Sequence, residues 1–105
     1  VVAKQLPEGI TTGDLRTIAN DLRGKLQAED AVIVLMSVVD GKVSLAAAAT
    51  QQAVASGVKA GDLVKLVGQY IDGKGGGKPD LAQGTGSRAG GIDDALRAVR
   101  ESLAG

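Results

Sequence analysis

The spacing of hydrophobic positions changes several times along the chain, and each change marks a predicted element. Val1 to Leu6 opens as a β-branched strand and ends in the turn chemistry of Pro7-Glu8-Gly9. Leu15, Ile18, Ala19, Leu22 and Leu26 then recur at helical spacing, predicting an amphipathic helix from about Gly13 to Gln27. Thr11 or Thr12 supplies its N-cap, and Asp14 sits in its first turn. Gly24 inside that helix weakens it by about 1 kcal/mol relative to alanine. Val32 to Val39 is apolar except at Ser37, the pattern of a central strand covered on both faces. Asp40-Gly41 follows as a hairpin signal, because both central residues of a type I′ turn need φ > 0. Val43 to Thr50 returns antiparallel. Its run Ala46 to Ala49 lacks bulk, so another element is expected to pack closely over it.

Gln51 to Ser56 reads as a helical turn closed by Gly57. Ala60 to Ile71 is a stronger helix, with Leu63, Leu66, Val67, Tyr70 and Ile71 on one face. Ile92 to Leu103 forms the last helix, with Asp93 and Asp94 in the first turn, where the helix dipole favours anions. Residues 73–91 break the periodicity and hold eight of the sixteen glycines; they read as a glycine-rich loop with a short fourth strand near Leu81. The fold class is therefore α/β (α+β): a small mixed sheet of three to four strands with a central hairpin, packed by about three helices. A right-handed first crossover makes the first two strands parallel.

Composition narrows the chemistry. The 105 residues make one small domain without a second core or an internal repeat. Twelve Lys and Arg balance twelve Asp and Glu, which argues against a strongly basic nucleic-acid module. With no Cys and no His, disulfides, thiolate nucleophiles, ordinary zinc sites and imidazole acid–base catalysis are excluded. Tyr70 is the only aromatic residue, so no stacking platform for single strands can be built; it is placed in the core with its hydroxyl at the edge. No apolar run is long enough to cross a bilayer. The opening on Val1 suggests a domain cut from a larger protein.

The glycine-rich segment is where chemistry is expected. Glycine runs add no packing and cost backbone entropy, so they fit places where the backbone approaches something closely. A Walker A loop fails twice, with Asp72 at its first glycine position and Pro79 after Gly77-Lys78. Gly84-Thr85-Gly86-Ser87-Arg88-Ala89 has the spacing of a dinucleotide fingerprint but lacks the flanking βαβ unit. The candidate contact residues are Lys74, Gly75, Gly76, Gly77, Lys78, Pro79, Asp80, Gln83, Gly84 and Arg88. Lys78 is either a phosphate contact or a solvated loop lysine; Asp80 either orients Lys78 or caps a turn. Gln83 either reads a base edge or sugar hydroxyl or bridges loop backbone. Arg88 is a further cation, or it covers the last helix. Arg16, Arg23 and Lys25 share their helix with Asp14 and Asp21 and read as a solvated face.

The run Gly75-Gly76-Gly77-Lys78-Pro79-Asp80-Leu81-Ala82-Gln83-Gly84, with Gly86 and a terminal helix after it, resembles the C-terminal domain of alanyl-tRNA synthetases. Asp40-Gly41-Lys42-Val43-Ser44-Leu45, Lys59-Ala60-Gly61-Asp62-Leu63-Val64-Lys65 and Asp14-Leu15-Arg16 extend the resemblance over nearly the whole chain. The same domain type follows the catalytic domain of DHH-type phosphoesterases, where a histidine often follows the glycines; here Lys78-Pro79-Asp80 stands instead. The resemblance implies a non-catalytic module without cofactor or metal. By the same resemblance it is expected to hold the outer corner of alanine-specific tRNA and present it to aminoacylation and editing domains upstream in the same cytoplasmic chain. In some members it also aids dimerisation. The alternatives are a substrate-binding accessory domain of a DHH phosphoesterase, or a structural module that self-associates through the alanine-rich strand or an outer helix face.

Overall fold

The computed structural model describes residues 2–104; Val1, which opens the first predicted strand, and Gly105 lie outside them. In chain order the elements are β1 (Val2–Gln5), α1 (Thr12–Lys25), β2 (Val32–Val39), β3 (Lys42–Ala49) and α2 (Gln51–Ala55). Next come α3 (Ala60–Ile71), β4 (Gly73–Gly77), β5 (Leu81–Gly86) and α4 (Ile92–Ala104), the last entered through a short 3-10 turn at Ala89–Gly91.

The strands form one mixed sheet in the order β1-β2-β3-β5-β4. β1 runs parallel to β2, as expected, and the other pairs are antiparallel. Asp40 and Gly41 take φ of 51° and 77°, the left-handed pair that the β2–β3 turn requires. Thr11 caps α1 by accepting the Asp14 N–H at 3.3 Å. The sheet has five strands, against an expectation of three to four. The difference is the glycine segment, which is a β-hairpin and not a loop. Glycine has no side chain to alternate between faces, so β4 carries no hydrophobic period to read.

Helices cover both faces of the sheet, giving three layers. Leu15 and Ala19 of α1 pack on Ile33, Leu35, Ala46 and Ala48. On the opposite face α3 and α4 bring Val64, Val67, Ile71 and Val99 against Val34, Met36, Leu45 and Ala47. Ala46 to Ala49 are wholly buried, and β3 is paired along both edges. The alanine run thus lets helices approach from both sides, as its lack of bulk implied. Self-association through that strand is excluded, because no face or edge of it is free.

Buried hydroxyls tie the connections to this frame. Ser37 Oγ donates to Pro7 O at 2.7 Å and accepts the Ile10 N–H at 3.2 Å, while Ser44 Oγ donates to Ile10 O at 2.8 Å. Thr50 Oγ1 donates to Glu29 O at 2.7 Å and accepts the Ala31 N–H at 3.0 Å. The two sheet edges differ. At β1, the Arg100 guanidinium donates to Ala3 O at 2.9 Å, so a side chain from α4 occupies that edge. The other edge is the glycine strand β4.

Candidate functional site

A two-residue turn, Pro79-Asp80, joins β4 to β5, and the Lys78 N–H donates to Leu81 O across it at 3.0 Å. Neighbouring elements hold this turn from several directions. The Ala49 N–H donates to Asp80 O at 3.0 Å, and the Ala60 N–H at the start of α3 donates to Pro79 O at 2.7 Å. From α1, Arg23 Nη1 donates to Asp80 Oδ2 at 2.5 Å. One of the two readings open for Asp80 drops out here, and one expectation is corrected. Asp80 does not orient Lys78, because its carboxylate is engaged by Arg23. Nor is Arg23 on a solvated face: its side chain is only 19% exposed, turned toward the sheet end.

The glycines separate into two groups. A Cβ at Gly75 would run into the β5 backbone and lie 2.8 Å from Val64 Cγ1. At Gly84 it would meet Lys74 O at 2.7 Å and Val64 Cγ1 at 3.1 Å, and at Gly86 it would lie 2.7 Å from Ile71 Cγ1. Gly73 and Gly77 are similarly closed, the first by β5 and Ile71, the second by Ala82. These separations are well inside ordinary van der Waals contact, so any side chain there forces the layers apart. The close approach expected of the glycines therefore exists, and its partner is helix α3. Gly76 is different: a Cβ there meets nothing within 4 Å.

Alternation puts Gly76 on the same side of the hairpin as Lys74 and Lys78. Their cross-strand neighbours on that side are Thr85 for Lys74 and Gln83 for Gly76. Leu81, which follows the turn, packs into the α1 layer, so this is the side that faces α1. Gln83 there joins Gly13, Arg16, Thr17 and Asn20 of α1 around an open depression of about 450 Å³. The depression is thus walled by a guanidinium and amides, while Lys74, Gly76 and Lys78 share the strand side that carries Gln83.

Among the residues expected to act together, Lys74, Gly76, Lys78 and Gln83 are brought to one face. Gly75, Gly77 and Gly84 serve the packing layer, and Pro79 and Asp80 form the fastened turn. Arg88 stands apart, beyond the end of β5, where its N–H donates to Ile71 O at 2.8 Å and the chain turns toward α3 and α4. Arg16, Thr17 and Asn20 were not among the candidates. Their signal is a second stripe on α1, residues 13, 16, 17 and 20, set beside the apolar one at helical spacing.

The family model for the DHHA1 domain matches residues 1–105. The chain belongs to the DHHA1 domain family. Curated relatives of this DHHA1 domain include the alanine–tRNA ligases of Corynebacterium jeikeium, 51% identical over 105 residues, and of Nocardia farcinica, 50% identical over 104. The matches take in 100% and 99% of this chain and 12% of each relative, so the chain spans about an eighth of their length. Among solved structures, the C-Ala domain of Aquifex aeolicus alanyl-tRNA synthetase superposes with a TM-score of 0.86 at 26% identity, covering 99% of this chain and 90% of that one. The resemblance to the C-terminal domain of alanyl-tRNA synthetases is thereby borne out. A DHH-domain protein of the s1p family of ribosomal proteins shares the fold, with a TM-score of 0.58 at 17% identity, over 91% of this chain and 22% of its own.

Proposed function

We propose that this DHHA1 domain is a non-catalytic RNA-binding module of an alanine–tRNA ligase. It contacts the outer corner of alanine-specific tRNA and helps present it to aminoacylation and editing domains in the same cytoplasmic chain. The observation that carries this reading is the grouping of Lys74, Lys78 and Gln83 around Gly76, the hairpin glycine with no packing duty. Ammonium groups flanking a bare stretch of backbone suit a ribose–phosphate chain, which needs charge and close approach and not an aromatic platform. Few phosphate contacts imply weak affinity for the domain alone, on the order of 10⁻⁴ to 10⁻⁶ M, and tethering within a longer chain raises the effective concentration.

Relatives of about 50% identity that are alanine–tRNA ligases favour this over the accessory domain of a DHH phosphoesterase, for which the likeness is one of fold. The test is a salt titration of binding with a folded tRNA and an unstructured RNA of equal length. A preference for the folded tRNA, weakened in Lys78→Ala at unchanged melting temperature, is the expected result. Equal affinity for both RNAs, or an undiminished Lys78→Ala, would overturn it.

A further inference from the structure

The glycine strand has a second side. In the ladder with β5, residues 74, 76 and 78 direct their backbone groups inward, as the Lys78-to-Leu81 bond shows, so Gly73, Gly75 and Gly77 direct theirs outward at the sheet edge. Helix α3 runs alongside that edge. A Cβ at Gly61 would lie 3.5 Å from Gly77 O, and one at Gly68 would lie 3.1 Å from Gly73 O, so two helical glycines let α3 sit close to the strand without filling the space beside it. What remains is a trough made of two depressed stretches that share Lys65. One, of about 190 Å³, is bordered by Lys59, Asp62 and Lys65, and the other, of about 280 Å³, by Lys65, Gln69 and Lys74.

The three lysines are exposed, and Asp62 is the only acidic side chain bordering either stretch. In a chain of zero net charge this is a local concentration of positive charge, laid along an edge whose outward amides are hydrogen-bond donors. Lys78 borders neither stretch and by alternation belongs to the opposite side of the same strand, while Lys74, on that side by alternation, also borders the second stretch. We propose that the trough between α3 and the free edge of β4 is a second phosphate-binding strip, in which Lys59 and Lys65 hold the sugar–phosphate backbone of the RNA gripped on the other side by Lys78, with Lys74 at the border between the two. This rests on the RNA-binding reading above and extends it to a helix that the glycine motif does not include.

The strip predicts how salt dependence divides. Each lysine that neutralises a phosphate adds about 0.7 to 0.9 to the slope of log affinity against log salt. Binding of a folded tRNA(Ala) transcript is measured across a salt series for the wild type, Lys59→Ala/Lys65→Ala and Lys74→Ala/Lys78→Ala. The α3 pair is expected to lower affinity on the order of 10-fold near 0.1 M salt and to flatten the slope by about 1.5, with thermal melting unchanged. If the α3 pair binds like the wild type while the β4 pair is weakened, the strip is overturned and the RNA-binding reading stands. If neither pair changes binding, or the wild type does not bind at low salt, both fall. Binding of poly-glutamate that Lys59→Ala/Lys65→Ala abolishes, with tRNA binding unchanged in that variant, would mark the trough as a site for acidic protein and overturn the RNA assignment.

Discussion

Arg23, in the last turn of α1, and Asp80, in the β4–β5 turn, are 57 residues apart in sequence and joined by an ion pair at the end of the sheet. Asn20 holds the second guanidinium nitrogen, so the fork is fixed before it reaches the carboxylate. The pair links the layer on one face of the sheet to the hairpin that carries Lys74, Gly76 and Lys78. Asp80 is 46% exposed, so water weakens the attraction and the contribution stays modest. Arg23→Ala is expected to cost about 1–2 kcal/mol in chemical denaturation, part of it from lost packing of the side-chain stem. A double-mutant cycle with Asp80→Asn should show positive coupling; strictly additive effects would mean that the two side chains do not act together.

The division of the hairpin glycines is open to direct test. Gly75→Ala places a methyl against β5 and Val64 and should destabilise the domain by about 2 kcal/mol or more. Gly76→Ala enters open space, and its effect on stability should stay within about 0.5 kcal/mol. The second variant should still weaken RNA binding, because its methyl stands between Lys74 and Lys78. Equal melting temperatures for the two variants would refute the separation.

Ser37 is the one polar interruption of an otherwise apolar strand, and it is fully buried. Its hydroxyl serves both Pro7 O and the Ile10 N–H, anchoring the connection between β1 and α1. Ser37→Ala leaves both groups without that partner. A loss of about 1–3 kcal/mol is expected by urea titration, along with faster amide exchange at Ile10. Unchanged protection at Ile10 would show that the connection is held by other means.

Ala46 lies beneath α1 with no exposed surface. Ala46→Leu should cost about 1–3 kcal/mol, since neither the strand nor the helix above it can retreat without breaking other contacts. A neutral result would show that α1 can slide outward. In that case Arg16 and Asn20 should move away from Gln83, and amide chemical shifts along α1 and β5 would report it.

Much of this architecture was legible before any coordinates. Leu15 to Leu26 and Leu63 to Ile71 show a helical period because each helix buries one face, and Asp40-Gly41 states its turn by φ preference alone. Strand β4 was not legible, because Lys74 is its only residue with a side chain and alternation needs side chains. The individual tasks of the glycines were hidden for the same reason. What separates Gly75 from Gly76 is the position of Val64 on another element, and no local spacing encodes that. Arg23 was misjudged, and Asp80 was left between two roles, because the reading was local and their partnership is made by tertiary structure.

Arg100 reaching Ala3 O brings the last helix onto the first strand, at the edge of the sheet opposite β4 and about four strand spacings, or about 19 Å, away from it. Both ends of the described chain are thus attached on one flank, and the glycine edge looks out from the other. A fluorophore, a solid support or a fused reporter joined at either end will leave the lysine-lined strand unobstructed. Orientation on a sensor surface is decided by the same geometry: immobilised through its ends, the domain turns its basic edge toward the solution.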